Sequence, residues 1–112
     1  MTLVVRFFAL VIGHAFADFV FQSEFIAKYK NYHYQSAPPP GQKQQTVWPY
    51  VLTSHALVHG GVVWVITGNV YLGLAETLLH WIIDFGKCSN WYGIHKDQAL
   101  HILCKVVYTL WK

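Results

Sequence analysis

The sequence predicts an all-α protein, a four-helix transmembrane bundle formed as one domain over residues 1–112. Three observations point that way. The chain is 54% hydrophobic but only 12% charged, about half the charged fraction of an ordinary soluble domain, too little to cover a water-facing surface. Its apolar stretches have helical length and lack the two-residue alternation of strands. Inside those stretches His, Asp and Glu recur at intervals of four, which stacks side chains on one helical face. A soluble four-helix bundle competes, and the small charged fraction weighs against it. The mean hydropathy of +0.31 is modest for a membrane protein, because polar loops and polar groups within the apolar runs lower it.

The first helix is expected over about 3–27. Residues 3–21, LVVRFFALVIGHAFADFVF, are apolar apart from Arg6, His14 and Asp18, and about 20 such residues cross a bilayer. Ala15-Phe16-Ala17 has the small-residue form of a signal-peptide cleavage site. Arg6 is the only early basic residue, however, so a retained helix is the expectation. Gln22 continues the stripe of Asp18, and Glu24, Lys28 and Lys30 are expected to mark the exit into water. Pro38-Pro39-Pro40-Gly41 forbids a helix through the next segment, making 31–47 an exposed Pro-rich loop in which His33 is solvated.

A second helix, 48–66, starts with Pro49 in its first turn. Trp48 and Tyr50 suit an interfacial aromatic belt, and His55 and His59 lie further along. Thr67-Gly68-Asn69 reads as a tight turn. The third helix, 70–86, carries Glu76, His80 and Asp84 and is expected to close at Gly86. After a polar connection the fourth helix, 97–111, begins at Asp97, where a carboxylate complements the helix dipole. It carries Gln98, His101 and Lys105. The last two helices are short for a span, which implies tilt or local thinning.

Lys28, Lys30 and Lys43 fall in the first loop and Lys87 and Lys96 in the third, whereas the middle turn has no Lys or Arg. The positive-inside rule then places loops one and three in the cytoplasm and both termini, with Arg6 and Lys112, on the opposite side of the membrane. Arg6 is expected to snorkel to that outer surface. Antiparallel helices then bring four intervals to one depth. His14, His59, His80 and His101 form a deeper layer, and Asp18, His55, Asp84 and Asp97 one nearer the cytoplasm. A helical turn is about 5.4 Å, so the layers can share a metal centre.

Imidazole with carboxylate suits one or two divalent transition ions, Zn, Mn, Fe, Co or Ni, and helical bundles build such centres from facing side chains. All eight groups are therefore metal-ligand candidates, with Gln22 and Gln98 as residues that orient ligands from behind. Polar groups that merely tie helices together are the bland reading, and eight groups at one depth weigh against it. Glu76 and Lys105 each lie eight residues from a site carboxylate and are expected to pair beneath the metal layers. Ser54 faces away from His55, so no Ser-His-Asp constellation arises. Cys88 and Cys104 form no C-x-x-C pattern and are expected to be free thiols. The formal charge of +3 comes mostly from loop lysines without a basic cluster, so no nucleic-acid binding is expected.

The segment from His14 through Asp18 and Gln22 to Ala27-Lys28, with His55 and His59, His80-Trp-Ile-Ile-Asp84 and Asp97-Gln98 with His101, resembles a family of small bacterial and phage integral membrane proteins described as a domain of unknown function. The resemblance covers nearly the whole chain apart from the Pro-rich loop and implies no activity. The His-x3-Asp segment is also similar, more loosely, to membrane-bound metal-dependent hydrolases. That likeness implies hydrolysis of a phosphoester or related bond, in a lipid or a nucleotide, by a protein embedded in a bacterial inner membrane; the sequence does not set whether the bundle is an oligomer. Two other classes compete: a divalent-metal transporter, and a non-enzymatic phage-type protein such as an exclusion factor or holin.

Overall fold

The computed structural model describes residues 1–34 and 38–111; the middle of the Pro-rich loop and Lys112 lie outside the described residues. Every regular element among them is helical: α1 (Leu3–Ala15), a π-helical segment (Phe16–Val20), α2 (Glu24–Tyr29), α3 (Trp48–Thr67), α4 (Val70–Cys88) and α5 (Ile94–Leu110). The fold class expected from the sequence holds at this level.

The first helix departs from expectation. It does not run unbroken to residue 27. Beyond Ala15 the backbone bonds widen, and the Phe21 N–H donates to the Phe16 carbonyl at 2.8 Å, five residues back. The chain then breaks at Ser23, whose extended backbone lets its hydroxyl accept from the Ile26 N–H. Serine is a strong N-cap because its oxygen satisfies one of the free N–H groups that open a helix. Here that cap starts a separate helix, α2, which packs against α3.

α3 and α4 form a tight antiparallel pair. Gly68 closes α3 in the left-handed conformation, φ 69°, which glycine adopts without a Cβ penalty. The Asn69 side chain then caps α4 by accepting from the N–H groups of Tyr71 and Leu72. Midway, Gly60 and Gly73 let the backbones touch. A Cβ on Gly60 would lie 2.6 Å from the Gly73 carbonyl oxygen and 1.9 Å from Thr77 Oγ1.

Gly86 does not close α4, which continues to Cys88. Its missing side chain instead admits the Tyr92 ring, whose phenol would sit 2.6 Å from a Cβ there and donates to the Ile83 carbonyl. Asn90, with φ 61°, turns the chain, and α5 starts at Ile94, three residues before the expected Asp97. Both cysteines are free thiols.

The four long helices pack in the cyclic order α1, α3, α4, α5, giving a body 57 × 25 × 21 Å. One end carries the long loop and the α4–α5 connection and is called the loop end; the other carries the Gly68–Asn69 turn. Its interior is unusual in kind. Among the described residues, twelve buried side chains are polar or charged and eight are hydrophobic. The apolar side chains lie outside instead: Val4 and Phe8 on α1, Leu57 and Val65 on α3, Leu74 and Leu78 on α4, Leu103 and Leu110 on α5. Two stretches, Leu3–Val20 and Trp48–Thr67, are long and apolar enough to cross a membrane. α4 and α5 have 19 and 17 residues, and their buried polar stripes lower their hydropathy. The buried hydrophobic cluster, Leu10, Val63, Leu72 and Tyr108, occupies the turn end. At the loop end Tyr32, Trp48, Trp81, Phe85 and Trp91 are joined by ring contacts.

Candidate metal centre

Each of the four long helices contributes one face to the buried polar interior. His14 stands in the last turn of α1, Asp18 in the π segment, His55 and His59 on α3, His80 and Asp84 on α4, Asp97 and His101 on α5. Their exposures run from 0% for His80 to 7% for Asp18. The four-residue spacing places each pair along one side of its helix. The cyclic packing turns those sides inward.

The histidines of the deeper layer touch in succession. His59 and His80 stack with centroids 3.6 Å apart, and His80 and His101 at 4.3 Å. His14 lies 5.2 Å from His101 and 5.4 Å from His59, closing the ring. Nearer the loop end Asp18 is the hub. Its Oδ1 lies 3.3 Å from His55 Nε2 and 3.5 Å from His59 Nε2. Its Oδ2 accepts from Gln98 Nε2 at 2.9 Å. The same Gln98 amide donates to Asp97 Oδ2 at 3.1 Å, while its oxygen faces His14 Nε2 at 3.0 Å. Gln98 thus ties α1, the π segment and α5 into one network. Asp84 Oδ2 lies 3.6 Å from His55 Nε2 and 3.8 Å from His80 Nε2.

Among the described residues, three sets of side chains bring ligand atoms within 4.8 Å of one another, close enough to hold a metal ion: Asp18, His55, His59 and His80; Glu76, His80 and His101; Asp84, Asp97 and His101. The first and third share no residue. His14 belongs to none of the three, its Nε2 being engaged by Gln98. Glu76 enters one set although its Oε1 takes the Lys105 ammonium at 2.7 Å, with His80 Nδ1 3.5 Å away. Lys105 also lies over the Tyr108 ring, 5.7 Å from its centroid.

One residue of the site is absent from the sequence reading. Lys30, expected in water, is buried to 4% exposure. Its ammonium donates to Asp84 Oδ2 at 2.7 Å and to Gln22 Oε1 at 2.6 Å. The break at Ser23 is the cause, because it folds α2 back over the bundle instead of letting the helix run out. Ser23 itself was the available signal, a cap residue inside the supposed continuous helix. Lys28, by contrast, pairs with Glu24 on the surface. Arg6 is half-buried, with its Nε shielded from solvent. His33, His95 and Ser54 are exposed and lie outside the cluster. Beside the site, burial raises the Tyr92 phenol above its ordinary pKa, and the Asp97 and Asp84 carboxylates add to the shift.

No curated protein matches the chain, and no solved structure matches it. The model of the family described as "Protein of unknown function (DUF3307)" matches residues 6–112, a span that contains every residue of the buried cluster, and the chain belongs to that family.

Proposed function

We propose that the protein is a four-helix integral membrane metalloenzyme that hydrolyses a phosphoester or related bond, in a lipid or a nucleotide, near the cytoplasmic face of a bacterial inner membrane. The inverted distribution of side chains supports the membrane setting: lipid solvates apolar outer faces, and α4 and α5 complete the bundle as tilted, shorter spans. The lysines at the loop end support a cytoplasmic position for it, with both termini on the opposite side.

One observation carries the metal. Both ring nitrogens of His80 and of His101 are buried without a hydrogen-bond partner. Each such orphan costs about 1–3 kcal/mol, and a neutral imidazole satisfies a metal through one of them. Two further features agree. A tetrahedral ion with ligands at 2.0–2.1 Å sets ligand atoms about 3.4 Å apart, and Asp18 Oδ1 lies 3.3 and 3.5 Å from His55 and His59. The buried carboxylates Asp18, Glu76, Asp84 and Asp97 outnumber the buried ammoniums Lys30 and Lys105 by four to two. With neutral histidines, one divalent ion cancels the difference. The set of Asp18, His55, His59 and His80 is the position these features favour, for Zn, Mn, Fe, Co or Ni.

When bound, the metal supplies a Lewis acid and lowers the pKa of its water. Asp97 Oδ1 is buried and unpaired by any hydrogen bond, 3.4 Å from His101 Nε2, and is the proton acceptor. Asp97 would take the proton of the attacking water as its oxygen bonds to phosphorus, and would return it to the ester oxygen whose bond to phosphorus breaks. Substrate enters from the loop end, where a cavity of about 390 Å³ is lined by Tyr29, Tyr32, Lys43 and Trp48 among others. The cluster of Leu10, Val63, Leu72 and Tyr108 blocks the turn end, which favours hydrolysis over metal transport, since a transporter requires access from both sides.

Metal analysis of the purified protein tests the reading. A transition ion is expected to copurify, His80→Ala to lose it, and Asp97→Asn to keep it while losing turnover in a phosphoester screen. Absence of metal, with His80→Ala unchanged in stability and function, overturns the metalloenzyme reading. Metal flux into proteoliposomes without phosphoester turnover would assign transport instead.

A further inference from the structure

Lys30 holds the carboxylate that a second metal ion would need. The set of Asp84, Asp97 and His101 shares no residue with the favoured metal position, so the ligand types alone would permit two ions. Yet Asp84 Oδ2 already accepts from the Lys30 ammonium at 2.7 Å, and the same oxygen lies 3.6 and 3.8 Å from His55 and His80 of the favoured position. A single carboxylate oxygen therefore stands between the lysine and the residues of the metal site.

Charge decides how many ions such an interior accepts. Four buried carboxylates and two buried ammoniums leave a net charge of −2, which one divalent ion brings to zero. A second would leave +2 in a setting with little solvent, which is costly without an anion to meet it. An anionic phosphoryl group is such a partner, but the resting site has none. Lys30 offers another route to a second positive centre. An ammonium has three N–H donors; Asp84 and Gln22 take two, and among the described residues no acceptor is recorded for the third. Lys30 also stands on the loop-end side of the centre. Its neighbour Tyr29 lines the cavity there, and Lys30 caps a helix of only six residues, an attachment less constrained than the middle of a long helix.

We propose that Lys30 is the second cationic centre of the site: seated on Asp84, its ammonium replaces a second divalent ion at Asp84, Asp97 and His101 and receives an oxygen of the phosphoryl substrate. Building on the metalloenzyme reading, this makes the centre mononuclear and gives it a metal–ammonium pair. Two-metal sites stabilise the attacking and leaving oxygens from opposite sides. Here a bound ion would supply the Lewis acid for the attacking water, and Lys30 would meet the charge that gathers on the phosphoryl oxygens. Lys105 does not share this role, because it lies below the histidine layer beside Tyr108 of the apolar cluster, away from the loop-end cavity.

The stoichiometry of bound metal tests the idea separately from the reaction. Protein purified in detergent and equilibrated with excess Zn or Mn is expected to hold one ion per chain by elemental analysis. Lys30→Met changes the net charge from −2 to −3 and frees Asp84, and is expected to hold two. Lys30→Arg keeps the charge and is expected to hold one. With one equivalent of metal, inorganic phosphate should bind Lys30→Met about tenfold to a hundredfold more weakly than wild type, the loss of one charged hydrogen bond. Two ions in wild type, or a single ion in both wild type and Lys30→Met, overturn the proposal for Lys30 and leave the metalloenzyme reading standing. No ion in any variant overturns that reading itself. If Lys30→Met fails to give a folded, monodisperse sample, Lys30→Gln serves in its place, with the same two stoichiometries expected.

Discussion

Among the described residues two lysines are buried, and both give an ammonium to a carboxylate of α4 at 2.7 Å. Their surroundings differ. Lys105 comes from the interior of α5, between the histidine layer and the apolar cluster, with the Tyr108 ring 5.7 Å from its ammonium. Glu76, its partner, stands one turn past Gly73, where the α3 and α4 backbones meet. Lys30 comes from the end of a six-residue helix at the loop end, and its partner Asp84 also faces His55 and His80. One contact, made twice, thus has different consequences. Deep in the bundle, the pair is fixed on both sides. At the loop end, one partner sits on a short element and the other borders the candidate centre. Distance alone does not separate a structural ion pair from a group available to substrate; the stiffness of the elements that carry it does.

The strongest way to break this comparison is to remove the cation that is expected to be structural. Lys105→Met leaves Glu76 charged and alone, and is expected to lower stability by about 3–5 kcal/mol, read as thermal or denaturant unfolding in detergent. Adding Glu76→Leu should recover most of the loss, since an apolar pair needs no compensation. If Lys105→Met is tolerated within error, the lower pair is not structural and the contrast fails.

A smaller effect tests the stiffness directly. Gly60→Ala places a methyl against Thr77 and the Gly73 carbonyl, and overpacking of this kind costs about 1–3 kcal/mol. Hydrogen exchange should speed up around Glu76 more than around Lys30 if the close backbone contact holds the lower pair. The smallest effect is expected from Lys30→Met, about 1–2 kcal/mol net, because water and other cations at the loop end replace its bonds to Asp84 and Gln22. A loss as large as that from Lys105→Met would make the two lysines equivalent.

Much of the centre was legible because helices repeat. His14 with Asp18, His55 with His59, His80 with Asp84 and Asp97 with His101 each keep an interval of four, and a short turn between α3 and α4 sets two of them side by side. The apolar runs around them fixed the helical class for the same reason. Lys30 was not legible by that route. Its burial follows from the break at Ser23 and the packing of α2 against α3, and in a reading that extends one helix to residue 27 a lysine beyond it falls in water. The Ser23 cap marks the break, but its effect on Lys30 depends on where α2 comes to rest against α3. Gly86 misled for a related reason. A glycine near a helix end resembles a terminator, whereas this one is small because the Tyr92 ring, six residues on, needs the space. His14 shows a third limit. Spacing places it beside Asp18 but does not reveal that Gln98, from α5, takes its Nε2.

The π segment from Phe16 to Val20 has a further meaning for the length of the chain. A π turn amounts to an α-helix that has accepted one surplus residue, so its effect is one of phase. The chain that leaves it is rotated about the helix axis by roughly one residue's step, about 100°, relative to an uninterrupted helix, up to the break at Ser23. Asp18 sits inside this step, and Gln22 follows it directly. Shortening the segment by a single apolar residue would leave the charge and every polar group in place, yet would swing the carboxylate that joins α3 to α5 out of alignment. At this point the chain is tuned by its count of residues rather than by their chemistry.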